Sequence, residues 1–174
     1  MVQIVVINGM PTCGKSAFVE FCLEKLGPWG KEISTVDFVK DIAKQAGWNG
    51  EKTPKDRKFL SDLKDLLTEW GDVPYEKIKK TYNDFNYELE TYGVKSHKAF
   101  LFVHCREPQE IQKFKDRLNA FTVLIRRESV ENNNQSNHAD AEVFNFKYDA
   151  VIDNNGSLTE LREKAFGFVD LMMI

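Results

Sequence analysis

The chain has 174 residues, 42% hydrophobic and 29% charged, and this length and composition predict one globular domain spanning residues 1–174. Its net charge of −3 argues against a nucleic-acid-binding surface as the main function, although a local basic cleft is compatible with that charge. No apolar run approaches the length of a membrane span, and the short N-terminal apolar stretch lacks the basic segment of a signal peptide. We therefore expect a cytoplasmic protein without membrane contacts.

The three cysteines, Cys13, Cys22 and Cys105, are an odd number and show no metal-ligand spacing. They predict a chain without disulfides in a reducing compartment. Cys13 lies at a predicted helix N-terminus, where a thiol can become reactive, but a small residue tolerated in a tight loop is the favoured interpretation.

The first predicted elements are a buried strand over residues 2–7 and a helix over residues 17–23, joined by a loop over residues 9–16. The loop matches the pattern G-x-x-x-x-G-K-[ST] at every fixed position. Strand, glycine loop and helix in this order are the context of a phosphate-binding loop, so a chance match is the weaker interpretation. The predicted nucleotide-contacting residues are Gly9, Met10, Pro11, Thr12, Cys13, Gly14, Lys15 and Ser16.

Residue types in this loop suit phosphate chemistry. Gly9 and Gly14 can take backbone angles that are closed to other residues, so the loop can turn its N–H groups toward an anion. The following helix adds the positive end of its dipole, and Pro11 has no N–H to donate. Lys15 is expected to reach the β- and γ-phosphates, and Ser16 to offer its hydroxyl to Mg²⁺.

The next elements are a strand over residues 31–36, a helix over residues 37–46 and an amphipathic helix over residues 56–70. The apolar stripe of the amphipathic helix consists of Phe59, Leu60, Leu63, Leu66, Leu67 and Trp70. A further helix begins near Pro74, and its stripe consists of Tyr75, Ile78, Tyr82, Phe85, Leu89 and Tyr92. Such a stripe can be a partner surface, but a role in the core is the favoured interpretation.

The second half of the chain continues the alternation of strands and helices. Three strands are predicted, over residues 99–103, 121–125 and 150–152. One helix is predicted over residues 107–118. Residues 126–142 are polar and asparagine-rich, and they are predicted to form a mobile lid. A turn over residues 154–156 follows the last strand, and Ser157 with Glu160 forms a capping box that predicts the final helix.

Five apolar strands that alternate with helices predict an α/β fold, in which a parallel sheet carries helices on both faces. Ligands of such sheets lie beyond the carboxyl ends of the strands. The glycine loop, Arg106, the pair Arg126-Arg127 and the turn over residues 154–156 all follow strands. We expect them to converge on one cleft.

Cations near this cleft suit phosphoryl transfer, because repelling anions must be brought close together. Arg57 and Lys64 are seven residues apart on a predicted helix and can hold an acceptor phosphate from one face, although a solvated polar face explains them equally well. Arg106 can bind a phosphate in a bidentate way. Arg126 and Arg127 open the lid, and they either close over the γ-phosphate or form a surface pair that ends the strand.

Other classes of phosphate-binding-loop protein fit less well. The chain contains no Asn-Lys-x-Asp base-reading motif, which argues against a GTPase, and it is small for a motor. A small protein of this type with an arginine-bearing lid is typical of enzymes that transfer a phosphoryl group to a small molecule.

The order of these features resembles the nucleoside-monophosphate-kinase superfamily of P-loop kinases. The features are the glycine loop, Arg106, Arg126-Arg127, the lid with Asp140-Ala141-Glu142, and the run over residues 148–156. Within the superfamily, the chain is most similar to phage-type deoxynucleoside monophosphate kinases and animal-type phosphomevalonate kinases. The likeness covers most of the chain, is strongest at its two ends, and is weak between Trp48 and His97.

The resemblance implies the three-layer P-loop NTPase fold, ATP as the donor, Mg²⁺ at Ser16 and a phosphorylated small molecule as the acceptor. It places the acceptor-binding region at about residues 35–97 and the lid at about residues 126–142. The residues given roles by the resemblance are Asn154, Asn155 and Gly156 near the adenine, Arg126 and Arg127 in the lid, and Lys40 and Arg106 at the acceptor phosphate. The oligomeric state stays open between a monomer and a homodimer.

One residue departs from the pattern of these kinases. In this group the third strand commonly ends in an aspartate two residues before the arginine, and here that position is His104. A neutral imidazole is a poor Mg²⁺ ligand, because Mg²⁺ prefers oxygen. Asp37, after the second strand, is left with two roles: binding the metal through water, or orienting the acceptor.

The sequence therefore supports three hypotheses about function. The first is an ATP-dependent kinase of a phosphorylated small molecule, foremost a nucleoside or deoxynucleoside monophosphate, with phosphomevalonate as another acceptor. The second, motivated by His104, is a nucleotide-binding protein with weak or no transfer. The third is a hydrolase or a kinase of an unphosphorylated acceptor, which needs a base and has Asp37 as its candidate.

Overall fold

The centre of the molecule is a five-stranded β-sheet in the order β2-β3-β1-β4-β5. The computed structural model describes residues 1–92, 97–131 and 142–174. The strands are β1 (Val2–Asn8), β2 (Gly30–Ser34), β3 (Ala99–His104), β4 (Phe121–Arg126) and β5 (Ala150–Asp153). Each neighbouring pair runs parallel, so the predicted α/β fold with a five-stranded parallel sheet is confirmed.

Helices connect successive strands, as parallel pairing requires. They are α1 (Lys15–Leu26), α2 (Asp37–Gln45), α3 (Pro54–Gly71), α4 (Val73–Thr91), α5 (Pro108–Leu118), α6 (Glu128–Glu131) and α7 (Leu158–Met173). Short 3₁₀ turns occur at Gly27–Trp29 and Val143–Asn145. The capping box of α7 is confirmed, since the Ser157 hydroxyl accepts from the Glu160 N–H and the Glu160 carboxylate accepts from the Ser157 N–H.

The helices form a layer on each face of the sheet. Alternate residues of β3 face opposite ways, so Phe102 packs with α1 and α7, whereas Val103 packs with α4 and α5. Phe18 of α1 and Ile111 of α5 are both fully buried in these two layers. Among the described residues, no helix combines the length and the apolar character needed to cross a bilayer.

The stripe of α4 is largely core, as predicted. Tyr75, Ile78, Phe85 and Leu89 are buried, while Tyr92 at the end of the helix is exposed. The helix α4 therefore packs against one face of the sheet, and most of its stripe belongs to the core and not to a partner surface.

The stripe of α3 is a different case. The helix forms, but Phe59, Leu66 and Trp70 are 40%, 62% and 80% exposed, and the buried residue of α3 is Lys64. The physical reason is that α3 packs against the neighbouring helices α2 and α4, whereas α4 and α5 supply the residues that pack against the sheet. The predicted helix over residues 56–70 is confirmed, and its apolar stripe lies partly exposed.

The predicted lid is described in part. Residues 132–141, which include Asp140 and Ala141, lie outside the described residues. Within the predicted lid, Glu128–Glu131 form the short helix α6, and Glu142 directly precedes the turn Val143–Asn145.

Candidate functional site

The loop between β1 and α1 lies at the carboxyl edge of the sheet and has a strongly turned backbone. Gly9, Thr12 and Gly14 have φ angles of 148°, 63° and 101°. Gly14 is the N-cap of α1 and its helix end has no side-chain cap. The first N–H groups of α1 therefore point toward the loop without a capping side chain, as an anion site at a helix N-terminus requires.

The ammonium of Lys15 lies over the backbone of this loop. Its Nζ donates to the carbonyl oxygens of Gly9 and Met10, each at 2.7 Å, and lies 3.9 Å from the Sγ of Cys13. A phosphate entering the loop would compete with these neutral carbonyls for the ammonium, and a charged acceptor forms the stronger hydrogen bond.

Both glycines of the loop are also required by space. A Cβ at Gly9 would overlap the carbonyl oxygen of Ile125, and a Cβ at Gly14 would overlap the amide nitrogen of Asn154. The loop therefore sits directly against β4 and against the turn that follows β5.

Asn8 ties the start of the loop to two other segments, and it is a residue that the sequence reasoning missed. It is fully buried; its Oδ1 accepts from the Gly9 N–H at 2.7 Å, and its Nδ2 donates to the carbonyl of Arg106 at 3.0 Å. Its Nδ2 also donates to the hydroxyl of Tyr148 at 2.7 Å, which in turn donates to the carbonyl of Val143 at 2.8 Å. Burial raises the pKa of Tyr148 to about 12, so this phenol stays a donor at neutral pH.

Asn154, which the resemblance places near the adenine, has its side chain against the loop. The residue is 5% exposed, and its Nδ2 donates to the carbonyl of Cys13 at 2.8 Å. Asn155 and Gly156 are exposed on the same turn, and the Oδ1 of Asn155 accepts from the Glu128 N–H at 2.9 Å. The turn thus borders both the loop and the start of α6.

Arg126 is the last residue of β4 and Arg127 follows it, beside that turn. The guanidinium of Arg126 donates through Nε and Nη2 to the two carboxylate oxygens of Glu131, each at 2.9 Å. This side-chain hydrogen bonding lowers the pKa of Glu131. Arg127 is half-buried at the entrance to α6. The structure therefore places the two lid arginines at the carboxyl edge, with Arg126 engaged by a carboxylate of α6.

His104 lies at the end of β3, and its side chain is 21% exposed. Its Nε2 is 3.6 Å from the Oε2 of Glu32 on the neighbouring strand. Burial lowers the pKa of His104, the positive charge of Lys15 acts in the same direction, and Glu32 and Asp37 act against it. His104 is therefore neutral at pH 7 and shares an electrostatic environment with the loop lysine.

Asp37 and Lys40 form a pair at the start of α2, next to the end of β2. The Oδ2 of Asp37 accepts from the Ser34 N–H at 2.8 Å, and its Oδ1 is 3.1 Å from the Nζ of Lys40. Both side chains are half-exposed, at 49% and 40%. They present an acidic and a basic group together at the carboxyl edge.

Arg106 follows β3 and is exposed. Burial raises the pKa of the Cys13 thiol, and the positive charges of Lys15 and Arg106 oppose that rise. The Nδ2 of Asn8 donates to the Arg106 carbonyl at 3.0 Å, so the backbone of Arg106 lies beside the start of the loop.

The assignment of Lys64 to the acceptor site needs correction. Lys64 is 5% exposed, and its Nζ donates to Glu107 at 2.8 Å and to Glu110 at 2.7 Å. Burial alone would lower the pKa of Lys64, but the two carboxylates outweigh it and raise this pKa. Arg57 is exposed instead, and its Nε donates to the carbonyl of Lys52 at 3.2 Å. Arg57 and Lys64 lie on the same helix, but Arg57 is exposed whereas Lys64 is buried in an ion pair.

The residues of the loop fit a nucleotide with Mg²⁺. Ser16 is exposed on the first turn of α1, where its hydroxyl is accessible. The described residues contain no group of three or more His, Cys, Asp or Glu side chains placed to hold a metal ion. Mg²⁺ keeps several waters and takes phosphate oxygens, so the Ser16 hydroxyl would be one ligand among them.

No family model matches the chain, and no curated protein matches it. Solved structures that resemble it include a sugar kinase from a Janibacter species, with a TM-score of 0.45 and 15% identity over 98% of this chain and 95% of that chain. A shikimate kinase from Aquifex aeolicus has a TM-score of 0.47 and 13% identity over 98% of each chain. A gluconokinase from Sinorhizobium meliloti has a TM-score of 0.45 and 13% identity over 98% of this chain and 93% of that chain. These values are too low to carry an activity or an acceptor over to this chain.

Proposed function

We propose that this protein transfers the γ-phosphoryl group of ATP to a phosphorylated small molecule, foremost a nucleoside or deoxynucleoside monophosphate. The observation that carries the proposal is the grouping at one edge of the sheet. The loop with Lys15 follows β1, Arg106 follows β3, and Arg126 ends β4. Three cations at neighbouring strand ends suit the approach of two anionic substrates.

The donor side of the site is the loop and α1. The turned backbone and the N-terminus of α1 donate hydrogen bonds to phosphate oxygens, and Lys15 exchanges the carbonyls of Gly9 and Met10 for the β- and γ-phosphates. Mg²⁺, held by the Ser16 hydroxyl together with phosphate oxygens, would neutralise charge on the transferred group.

The acceptor side is proposed to lie between β2 and β3. Arg106 is exposed at the end of β3, and the Asp37–Lys40 pair opens α2 beyond β2. A guanidinium and an ammonium suit a phosphate, while the carboxylate of Asp37 can accept from a hydroxyl or amine of the acceptor. Lys64 is removed from this set because Glu107 and Glu110 already engage it, and Arg57 stays an exposed candidate.

Arg126 supplies a cation that can change partners. The arginine side chain in its fork with Glu131 is 42% exposed, so the guanidinium is accessible to a phosphate. An arginine that leaves a carboxylate for the transferring phosphoryl group would stabilise charge when that charge develops.

The test is ADP formation from Mg²⁺-ATP with a panel of nucleoside and deoxynucleoside monophosphates and with phosphomevalonate. We expect one class of acceptor to stimulate ADP formation well above the rate without acceptor, and the Lys15→Ala variant to lose that stimulation. Wild-type protein that is folded and binds ATP but responds to none of these acceptors would contradict the proposal.

A second candidate function is nucleotide binding without efficient transfer, and His104 is the observation that favours it. This neutral imidazole occupies the position at which the kinases it resembles commonly have an aspartate, and it offers Mg²⁺ no oxygen. Acceptor-stimulated turnover of about 1 s⁻¹ or more, the low end of ordinary enzyme rates, would eliminate this alternative.

A further inference from the structure

The turn between β5 and α7 contacts two separate parts of the site through a single residue. The side-chain amide of Asn154 donates to the carbonyl of Cys13 in the loop at 2.8 Å. The backbone N–H of Asn154 donates to the carbonyl of Arg126 at 2.7 Å. Asn154 thus connects the phosphate loop to the strand end that carries Arg126.

The contact with the loop is a close one. Asn154 is 5% exposed, and the absence of a side chain at Gly14 makes the approach of its amide possible, because a Cβ there would overlap the amide nitrogen. Gly14 has a φ of 101° and is the residue at which the loop turns into α1. The amide of Asn154 therefore contacts the loop directly before the N-terminus of α1, where the loop N–H groups would face a bound phosphate.

The next residue extends the connection to the lid. The Oδ1 of Asn155 accepts from the N–H of Glu128, the first residue of α6. The last residue of α6 is Glu131, which forms the fork with Arg126. The turn over residues 153–156 therefore joins the loop, the end of β4 and α6.

We infer that Asn154 is a positioning residue whose amide holds the Cys13–Gly14 segment in the shape that binds nucleotide phosphates and keeps that segment in register with Arg126. The inference rests on the proposed function, because it concerns the same phosphate site. A donor is essential at this position, since the partner is a carbonyl oxygen. A carboxylate of the same shape would set two acceptors against each other, and alanine would leave the carbonyl without this donor.

The experiment measures the affinity for Mg²⁺-ADP by calorimetry, together with the thermal midpoint of unfolding. The variants are Asn154→Ala and the isosteric Asn154→Asp. The matched control is Asn86→Ala, since Asn86 of α4 also bonds a backbone group, accepting from the Val2 N–H at 3.0 Å, at the amino end of β1. The control shows what loss of such a bond does to the molecule when the bond lies away from the site.

We expect both Asn154 variants to lose about tenfold in ADP affinity at a temperature where they are folded, the size of effect typical of one buried hydrogen bond. The Asn86→Ala variant is expected to unfold at a lower temperature and to keep its ADP affinity within about twofold. Should Asn154→Ala fail to fold, the isosteric Asn154→Asp variant carries the test by itself.

Measuring the ADP affinity as a function of pH separates a positioning role from a loss of stability. When protonated, the carboxyl group introduced by Asn154→Asp can again donate to the Cys13 carbonyl. Its ADP affinity relative to wild type is therefore expected to recover as pH falls from 8 to 5, whereas that of Asn154→Ala stays low. Folded variants that bind ADP like wild type at every pH would overturn the inference.

The two levels of failure are distinguishable. If wild type itself does not bind ADP, the proposed function fails and the inference fails with it. If wild type binds ADP, Lys15→Ala abolishes binding and both Asn154 variants bind normally, the inference alone is wrong.

Discussion

The guanidinium of Arg126 and the carboxylate of Glu131 form a two-bond fork, with Nε–Oε1 and Nη2–Oε2 distances of 2.9 Å each. The pair joins the last residue of β4 to the last residue of α6, just before the part of the lid that lies outside the described residues. A phosphate can accept the same pair of parallel hydrogen bonds from a guanidinium that this carboxylate accepts. Under the proposed function, Glu131 would therefore compete with the phosphoryl group for Arg126.

Replacing Arg126 by alanine tests whether the arginine acts on the transferred group. We expect kcat with ATP and the best acceptor to fall at least about tenfold, while the KM for ATP changes less than about threefold, because the contact forms mainly in the transition state. Steady-state kinetics at saturating acceptor measure both quantities. A rise in KM at unchanged kcat would instead make Arg126 a ground-state binding residue.

Replacing Glu131 by glutamine tests the competition directly. Loss of the carboxylate removes an anion that holds Arg126 in the ground state, so the variant is expected to have a kcat about two- to fivefold higher at low ionic strength, with little change in the KM for ATP. Since both partners are partly exposed, the difference is expected to shrink in about 0.5 M salt. Equal kcat of variant and wild type at low salt would show that the fork does not restrain the arginine.

The Lys15→Ala variant tests the loop as the phosphate site. We expect ATP affinity or turnover to fall at least about tenfold, because the loop loses the ammonium that reaches the phosphates. Lys25→Ala is the matched control, since Lys25 lies in the same helix and pairs with the surface carboxylate of Asp170 at 2.5 Å. If both variants behave like wild type, the loop does not hold the phosphates.

Lys64 is expected to matter for stability. Methionine at this position would leave the carboxylates of Glu107 and Glu110 without their buried cation, and we expect the free energy of unfolding to fall by about 3 kcal/mol. Lys58→Met is the control within the same helix, because Lys58 pairs with Asp62 at 2.7 Å on the surface and its loss is expected to cost about 1 kcal/mol or less. Urea unfolding measures both, and equal losses would contradict a buried ion pair at Lys64.

His104 predicts a pH dependence of stability. Burial lowers its pKa in the folded protein below the ordinary value of 6.5, so the unfolded chain binds the proton more readily. Stability is therefore lost as pH falls from about 6.5 toward the lowered folded-state pKa, and this group has no effect on the pH dependence well above 6.5.

The measurement is urea unfolding of wild type and His104→Gln between pH 5 and 8. We expect the difference in unfolding free energy, wild type minus variant, to be constant above pH 7 and to decline toward pH 5. A difference that grows in acid would mean that the pairing of protonated His104 with Glu32 outweighs its burial.

Features carried by contiguous residues could be read from the sequence alone. The loop Gly9–Ser16, the order of strands and helices, the capping box of Ser157 with Glu160 and the positions of Arg106 and Arg126 at strand ends all follow from local pattern. Parallel pairing then follows from the alternation of apolar strands and helices, because a parallel pair needs a crossover. These arguments need no knowledge of which distant residues meet.

Tertiary structure decided which side chains remain available to a ligand. The sequence pattern predicts Lys64 to be a surface cation, but in the folded chain its ammonium donates to the carboxylate of Glu110, 46 residues away. Asn154 reads as a turn residue, but its amide meets the carbonyl of Cys13, 141 residues away. The apolar stripe of α3 stays partly exposed because α4 and α5 cover the sheet on that face. A local pattern sets the conformation of its own segment, whereas the partner of a side chain depends on how distant segments pack.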